Sequence, residues 1–324
     1  MALDEFRVIE LAGKLLPRPG GARSVLGFDD AVAVEHVHTR LMVFNVDCFD
    51  GASDLLPGMR LRDAGWTALV MALSDVFAKG AEPLGCLLGL SLPSSYREAE
   101  VVELLKGLGE AASHYGVGFW GGDTGFSDSL HISVFAAGAA ERVVPRSGAR
   151  PGDLVVTTGV YGVTSAAFKY LLGRGLEPCR GLDSLLHRTY RPSPDLRAWL
   201  RVTKYLSSSI DCSDGLAMSL HLLAEESGVG IILERVPLDP VAEECLRGWG
   251  FDPVSEALYS GGEEFELIGT ISPELWKAAR REAAEVGLDL RVIGRVVEEG
   301  GVFLEATGGR VEVKKRGWVH SSRA

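Results

Sequence analysis

The sequence predicts an α/β unit followed by an α+β unit, two domains in one chain. Strand-like and helix-like apolar patterns alternate from the amino terminus to about Arg142. The alternation restarts beyond the Gly/Pro/Arg-rich stretch RSGARPGD at 146–153, which has the character of a connector. A length of 324 residues also exceeds what one hydrophobic core usually serves. The domains are expected at 1–142 and 143–324.

Residues 4–16 have helical spacing and stop at Pro17, Pro19 and Gly20, where the backbone must leave the helix. β-rich runs follow at 31–34 and 41–46. Trp66, Leu69, Val70 and Leu73 recur at helical intervals and predict a long helix over 61–79, ended by Gly80. The run PLGCLLGLSLP at 83–93 reads as a strand, the charged, leucine-bearing stretch 96–115 as an amphipathic helix, and 117–120 and 131–137 as strands. In the second unit the pattern predicts a strand at 154–158, helices around 165–172 and 195–206, and a short strand into Asp211. A helix at 216–227, strands at 230–234 and 265–271, a helix at 273–286 and strands near 290–297 and 302–304 complete it.

Composition narrows the classes of partner. A net charge of -11 opposes a nucleic-acid ligand, which needs a basic face to neutralise its phosphates. No run approaches the roughly 18 apolar residues of a membrane-spanning helix, and the amino terminus lacks a signal-type apolar core. The cysteines, at 48, 86, 179, 212 and 245, are odd in number and scattered, with no CxxC pair, so neither a zinc site nor a disulfide framework is expected. A soluble protein of the reducing cytoplasm fits these features.

The aspartates carry the chemistry. GFDDAVAV brings Asp29 and Asp30, LMVFNVD brings Asp47, ALVMALSD brings Asp75, VGFWGGD brings Asp123, and SIDCSDGL brings Asp211 and Asp214, each at the end of an apolar run. Desolvating a carboxylate costs several kcal/mol unless a cation or donors compensate. Carboxylates gathered from several elements repel one another, and a hard divalent cation with oxygen ligands is the simplest thing that holds them together. Magnesium with phosphate is the expectation.

The glycine-rich motifs refine it. GVGFWG at 116–121 matches GxGxxG, but Gly116 terminates a helix and 117–120 form the strand, the reverse of a dinucleotide-binding turn. There is no GxxxxGK[ST] loop and no protein-kinase signature. GGDTG at 121–125 places paired glycines beside Asp123 where a backbone can approach a ligand, although the same letters make a β-turn. In DCSDGL at 211–216, Ser213 or Asp214 stands where a helix N-cap belongs, beside the second carboxylate of Asp211; a helix N-terminus next to such an acid suits a phosphate. SGGEEFEL at 260–267 repeats the grammar of glycines followed by acids.

In order and spacing, GFDDAVAV, VDCFDG, GWTALVMALSDVFAKGAEP, GGDTG, RSGARPGD, SIDCSDGL, SGGEEFEL and the terminal GWVH resemble the thiamine-monophosphate kinases of the aminoimidazole ribonucleotide synthetase-like superfamily. The resemblance implies that superfamily's two-domain fold, with N-terminal sheets of two subunits paired in a dimer barrel. It implies transfer of the ATP γ-phosphoryl group onto thiamine monophosphate, several Mg²⁺ ions, and a homodimer. Carried over position by position, Asp29, Asp30, Asp47, Asp75, Asp123, Asp211 and Asp214 would serve the metal. Gly122, Asp123, Arg146 and Ser213 would meet ATP, and Glu263 and Trp318 the thiamine end. The family's Gly-x-His-Phe is Gly51-Ala52-Ser53-Asp54 here, which brings Asp54 to the acceptor pocket, and its Glu-Asp-Tyr is Glu263-Glu264-Phe265.

Phosphoryl transfer to an already ionised phosphate asks for positioning and charge neutralisation, so no catalytic side-chain base is expected. Asp211 and Asp214 are the residues nearest the transfer. Relatives within the superfamily fit less well: ARSVLGFDD has no reactive Cys or Lys, and the chain ends HSSRA without a functional Cys. Another ATP-dependent enzyme of the superfamily acting on a different small phosphate is the alternative, as is a non-catalytic nucleotide-binding regulator.

Overall fold

The computed structural model describes residues 32–35, 41–173 and 175–319; the expected helix at 4–16 and both Asp29 and Asp30 lie outside them. The first half forms a five-stranded sheet in the order β1-β2-β5-β3-β4, built from β1 (Val32–Glu35), β2 (Leu41–Asp50), β3 (Glu82–Pro93), β4 (Phe119–Ser127) and β5 (His131–Ala140). Two helices, α1 (Leu61–Ala78) and α2 (Glu98–Tyr115), pack together on its side. α1 is apolar nearly all round because it is buried nearly all round, between the sheet, α2 and the second half of the chain. Gly116, left-handed at φ 65°, ends α2 as the sequence suggested.

The second half forms a seven-stranded sheet, β12-β11-β8-β10-β6-β9-β7. Its strands are β6 (Leu154–Thr158), β7 (Leu206–Asp211), β8 (Gly230–Leu233), β9 (Leu267–Ile271), β10 (Leu290–Val297), β11 (Gly301–Ala306) and β12 (Gly309–Glu312). Its helices are α3 (Val163–Leu172), α4 (Leu182–Tyr190), α5 (Leu196–Trp199), α6 (Leu216–Ser227), α7 (Pro240–Gly248), α8 (Pro253–Tyr259) and α9 (Pro273–Glu285). The main apolar core runs across both halves, from Leu69, Leu73 and Phe77 of α1 to Trp199, Leu206 and Phe265. Polar stitches accompany it: Trp66 Nε1 donates to Pro192 O (2.5 Å) and Tyr115 OH to Pro194 O (3.1 Å).

Several expectations are corrected. The helix expected over 195–206 is only the short α5 and a 3₁₀ turn at Thr203–Tyr205, because from Leu206 the chain is drawn into an antiparallel ladder with β9. Three helices went unread, α4, α7 and α8, and two of them carried a start signal: Asp239-Pro240 and Asp252-Pro253 each cap a helix with an aspartate and open it with proline. The apolar run at 83–93 is the strand expected, and β4 and β5 flank it within the sheet. Cys179 and Cys245 form a disulfide, with Cα atoms 5.4 Å apart, where no bridge was expected. Their separation of 66 residues hid the pairing, which arises because α7 packs against α4 in a small cluster containing Leu185 and Leu246.

Candidate active site

β2 is longer than its apolar run because it pairs with β5 over its full length, from Leu41 opposite Ala140 to Asp50 opposite His131. Asp47 therefore sits inside a strand, not at its end. Alternation along β2 turns Val43, Asn45, Asp47 and Phe49 toward α1 and leaves Val46 on the opposite, open face. Asn45 Nδ2 reaches α1 and donates to Asp75 Oδ2 at 2.5 Å. One residue earlier on α1, Ser74 Oγ donates to Asp211 Oδ2 (2.8 Å), the carboxylate that ends β7 and is 3% exposed. Two strands and one helix, drawn from both halves of the chain, thus converge on two carboxylates.

These carboxylates lie in one another's field. Burial, then the charges of Asp211 and Asp47, push the Asp75 carboxyl well above its ordinary range, with Lys79 opposing and Asp214 adding to the push. Burial raises Asp211 as well, against the Ser74 hydrogen bond and the positive charges of Arg146 and Lys79. Arg146 stands in a 3₁₀ turn, Arg146–Gly148, and is 9% exposed.

Backbone pairing joins the remaining motifs. The residue capping α6 is Gly215 rather than Ser213 or Asp214; at φ 101° it is left-handed, and a Cβ there would stand 2.7 Å from Gly261 O. This close approach lets Glu263 N donate to Ser213 O (2.7 Å), Phe265 N to Cys212 O (3.1 Å) and Trp318 N to Asp214 O (3.0 Å). SIDCSDGL, SGGEEFEL and GWVH are thereby one unit. Glu263 and Phe265 are held at φ 58° and 53°, a conformation costing non-glycine residues about 1 kcal/mol or more each. The bonds on either side hold them there.

The result is a cavity of about 420 Å³. Asp47, Asp54, Ser213, Asp214 and Glu263 give it an acidic side; Phe168 and Leu172 of α3, Tyr259, Phe265 and Trp318 give it an apolar one. Burial, then Asp54 and Asp47, push the Glu263 carboxyl up to about 8. Glu264 points away from the cavity, where its Oε1 accepts from Gly162 N (3.2 Å) and burial raises it to about 7. The Asp54 carboxylate is tied into its own turn, accepting from Asp50 N (2.8 Å) and Ser53 Oγ (2.6 Å).

Gly122 and Asp123 stand elsewhere. β4 runs in parallel register with β3 through the whole of GGDTG, which is therefore strand and not a turn after one. A Cβ at Gly122 would lie 2.0 Å from Leu88 O, so glycine is what this pairing requires. Asp123 is exposed and lines a shallow groove with Val46, Ser133 and Phe135 on the open face of the sheet, the face turned away from Asp47. Lys79, Asn45 and Ser74 were missed in the sequence. Lys79 stands one helical turn after Asp75, and that spacing was the available signal.

The donor set suits magnesium, since the converging groups are hard carboxylate oxygens in mutual repulsion. Among the described residues no three acidic, His or Cys side chains are placed as a metal cage.

The fold and this acidic junction define a class. Residues 28–140 match the AIR synthase related protein, N-terminal domain, and residues 150–307 match the corresponding C-terminal domain. Within that class the chain belongs to the thiamine-monophosphate kinase family. It is 33% identical to the thiamine-monophosphate kinase of Aquifex aeolicus over 320 residues, 98% of each chain. It is equally 33% identical over 324 residues to that of Archaeoglobus fulgidus, again covering 98% of each. Among solved structures, AaThiL complexed with AMPPCP and TMP has a TM-score of 0.86 at 31% identity, covering 99% of each chain.

Proposed function

We propose that this chain transfers the γ-phosphoryl group of ATP to the phosphate of thiamine monophosphate, giving thiamine diphosphate and ADP. The observation that carries the reading is a cavity with one acidic and one apolar aromatic side, in a chain similar over its full length to AaThiL, which was solved complexed with AMPPCP and TMP. An oxygen of the acceptor phosphate forms the new P–O bond as the bond from the γ-phosphorus to the β,γ-bridging oxygen breaks, and ADP leaves with that electron pair. The acceptor is ionised at neutral pH, so no side chain has to remove a proton.

Mg²⁺ ions would be held by Asp47, Asp75, Asp211 and Asp214, together with Asp29 and Asp30, and would neutralise the charge gathered by two phosphorylated substrates. Arg146 and Ser213 serve ATP. Trp318 offers a ring face to the cationic thiazolium, and Glu263 and Asp54 supply negative charge on that side. Gly122 and Asp123 serve ATP from the open face of the first sheet, where Val46 (62% exposed), Leu87 and Trp120 form an apolar row. That row supports pairing of two such sheets as a barrel in a homodimer. We divide the chain between residues 142 and 143 and assign it to the cytoplasm. Among the described residues no helix is long and apolar enough to cross a membrane; the Cys179–Cys245 bridge is the feature that sits least easily with a reducing compartment.

The test is an acceptor screen with ATP and Mg²⁺ in which thiamine monophosphate, free thiamine and other small phosphates compete and products are identified by mass. Thiamine diphosphate as the dominant product is expected. Conversion of another phosphate with none of thiamine monophosphate would overturn the acceptor assignment.

A further inference from the structure

We propose that the Cys179–Cys245 disulfide is a redox-sensitive positioning element of the acceptor pocket: it fastens the connection between α3 and α4 to α7, and so holds the face of α3 that lines the cavity. α3 is a wall with two sides. Phe168 and Leu172, one helical turn apart, line the cavity, whereas Val163 and Ala166 lie on the opposite side, in the small apolar cluster with Cys245 and Leu246 of α7. Tyr170 stacks on Trp249 at 6.2 Å, and Lys169 Nζ stands 4.6 Å from the Phe251 ring centre while pairing with Glu256 of α8 (3.1 Å). Leu172 is 63% exposed, so α3 is backed mainly from the side away from the cavity.

The bridge secures that backing. The connection between α3 and α4 has no regular structure over 176–179 and is largely exposed. The disulfide, with Cα atoms 5.4 Å apart, ties it to α7, and Trp249, directly after α7, donates from Nε1 to Glu177 O (2.9 Å). A Cβ at Gly181 would stand 2.7 Å from Val241 of α7, so the connection runs close against that helix. Opening the bridge leaves the attachment to the noncovalent contacts of a surface loop, which open at low cost. Slack there lets Phe168 and Leu172 shift, and binding must then order both side chains. Cys179 is half-buried and Cys245 only 1% exposed, so a reductant reaches the bridge from the Cys179 side. A dithiol breaks the S–S bond by exchange: it is oxidised to its own disulfide and leaves two protein thiols. The acceptor effect rests on the proposed function; the fastening of α3 does not.

The experiment compares the full chain oxidised, reduced with dithiothreitol, and as the Cys179→Ser/Cys245→Ala variant, all below the reduced protein's Tm, with thiols counted by alkylation and mass. Reduction is expected to raise the KM for thiamine monophosphate by roughly 5-fold or more, the scale of ordering two side chains on binding, and to reverse on reoxidation. The KM for ATP should change by less than about 2-fold. The variant should match the reduced protein and ignore dithiothreitol, which excludes the free Cys48, Cys86 and Cys212 as the source. Amide hydrogen exchange without substrates should quicken over 163–172 on reduction, and more than over α6. Equal rises of both KM values, or a lower Tm with neither changed, would make the bridge a general staple and overturn the proposal. So would a bridge that alkylation never finds, or a response to dithiothreitol that persists in the variant. Should the variant fail to fold, the oxidised and reduced wild type decide, with alkylation identifying the cysteines opened. If exchange quickens over α3 but thiamine monophosphate is not used, the acceptor assignment has failed and the fastening stands; unchanged exchange overturns the proposal whatever the acceptor.

Discussion

The acidic junction beneath the cavity and the glycine loop on its rim are both built from carboxylates, yet their surroundings differ in kind. Asp75 and Asp211 are held by donors on neighbouring elements, Asn45 and Ser74, and have Lys79 and Arg146 in their field. Glu263 is held by backbone strain and pairing, and the groups that act on it are other acids, Asp54, Asp47, Glu264 and Asp214. The first arrangement positions the carboxylates and offsets part of the cost of their charge, which leaves them poised for something more positive than lysine. The second leaves an anion poorly supported until a cationic ligand arrives, which is how an acceptor pocket gains preference for a positively charged ring.

The largest effect that this contrast predicts is at the junction. Asp75→Asn preserves shape and removes a charge, so turnover should fall by roughly 100-fold or more, while the metal-free Tm stays level or rises as repulsion is relieved. Steady-state kinetics across an Mg²⁺ series, beside thermal melts in EDTA, check it; full activity at limiting Mg²⁺ would remove Asp75 from the metal site.

A middle-sized effect belongs to the rim and appears in pH dependence. The folded-state value of Glu263 is about 8 against an ordinary 4.5, so the folded protein binds this proton more tightly than the unfolded chain does. Stability of the metal-free protein therefore falls as pH rises from about 4.5 to about 8 and levels off above, with Glu264 and Glu266, each near 7, adding to the slope. Glu263→Gln should flatten the fall and raise stability at pH 8 by something on the order of 1 to 3 kcal/mol. Urea denaturation at pH 5 and pH 8 measures both quantities; an unchanged slope would mean that Glu263 is not the strained anion described.

The smallest expected effect separates the two substrates. Trp318 is 56% exposed, lines the cavity, and has its backbone pinned to Asp214 O. Trp318→Ala should raise the KM for thiamine monophosphate by roughly 5- to 30-fold, about 1 to 2 kcal/mol, and leave that for ATP nearly unchanged. Equal losses for both substrates would assign the ring a structural role and blur the distinction between junction and rim.

What the sequence made legible follows the range of the interactions. Helices α1, α6 and α9 were readable because periodicity and terminal glycines or prolines act within a few residues. The carboxylates were readable as a group because buried acids are costly anywhere. What was not readable depended on pairing at long range. The length of β2, which turns Asp47 into a mid-strand residue, is set by β5; the strand character of GGDTG is set by β3; and the Cys179–Cys245 bridge is set by the packing of α4 with α7. Asp123 shows the same dependence: its direction on β4, toward the open face of the sheet, is set by strand parity and not by its motif.

The most direct test of the central claim is to follow the phosphorus itself. With ATP labelled at the γ-phosphate, unlabelled thiamine monophosphate and Mg²⁺, the account predicts that the label appears in the terminal phosphate of thiamine diphosphate, with one ADP formed for each labelled product. Label released as inorganic phosphate while thiamine monophosphate remains unchanged would contradict it.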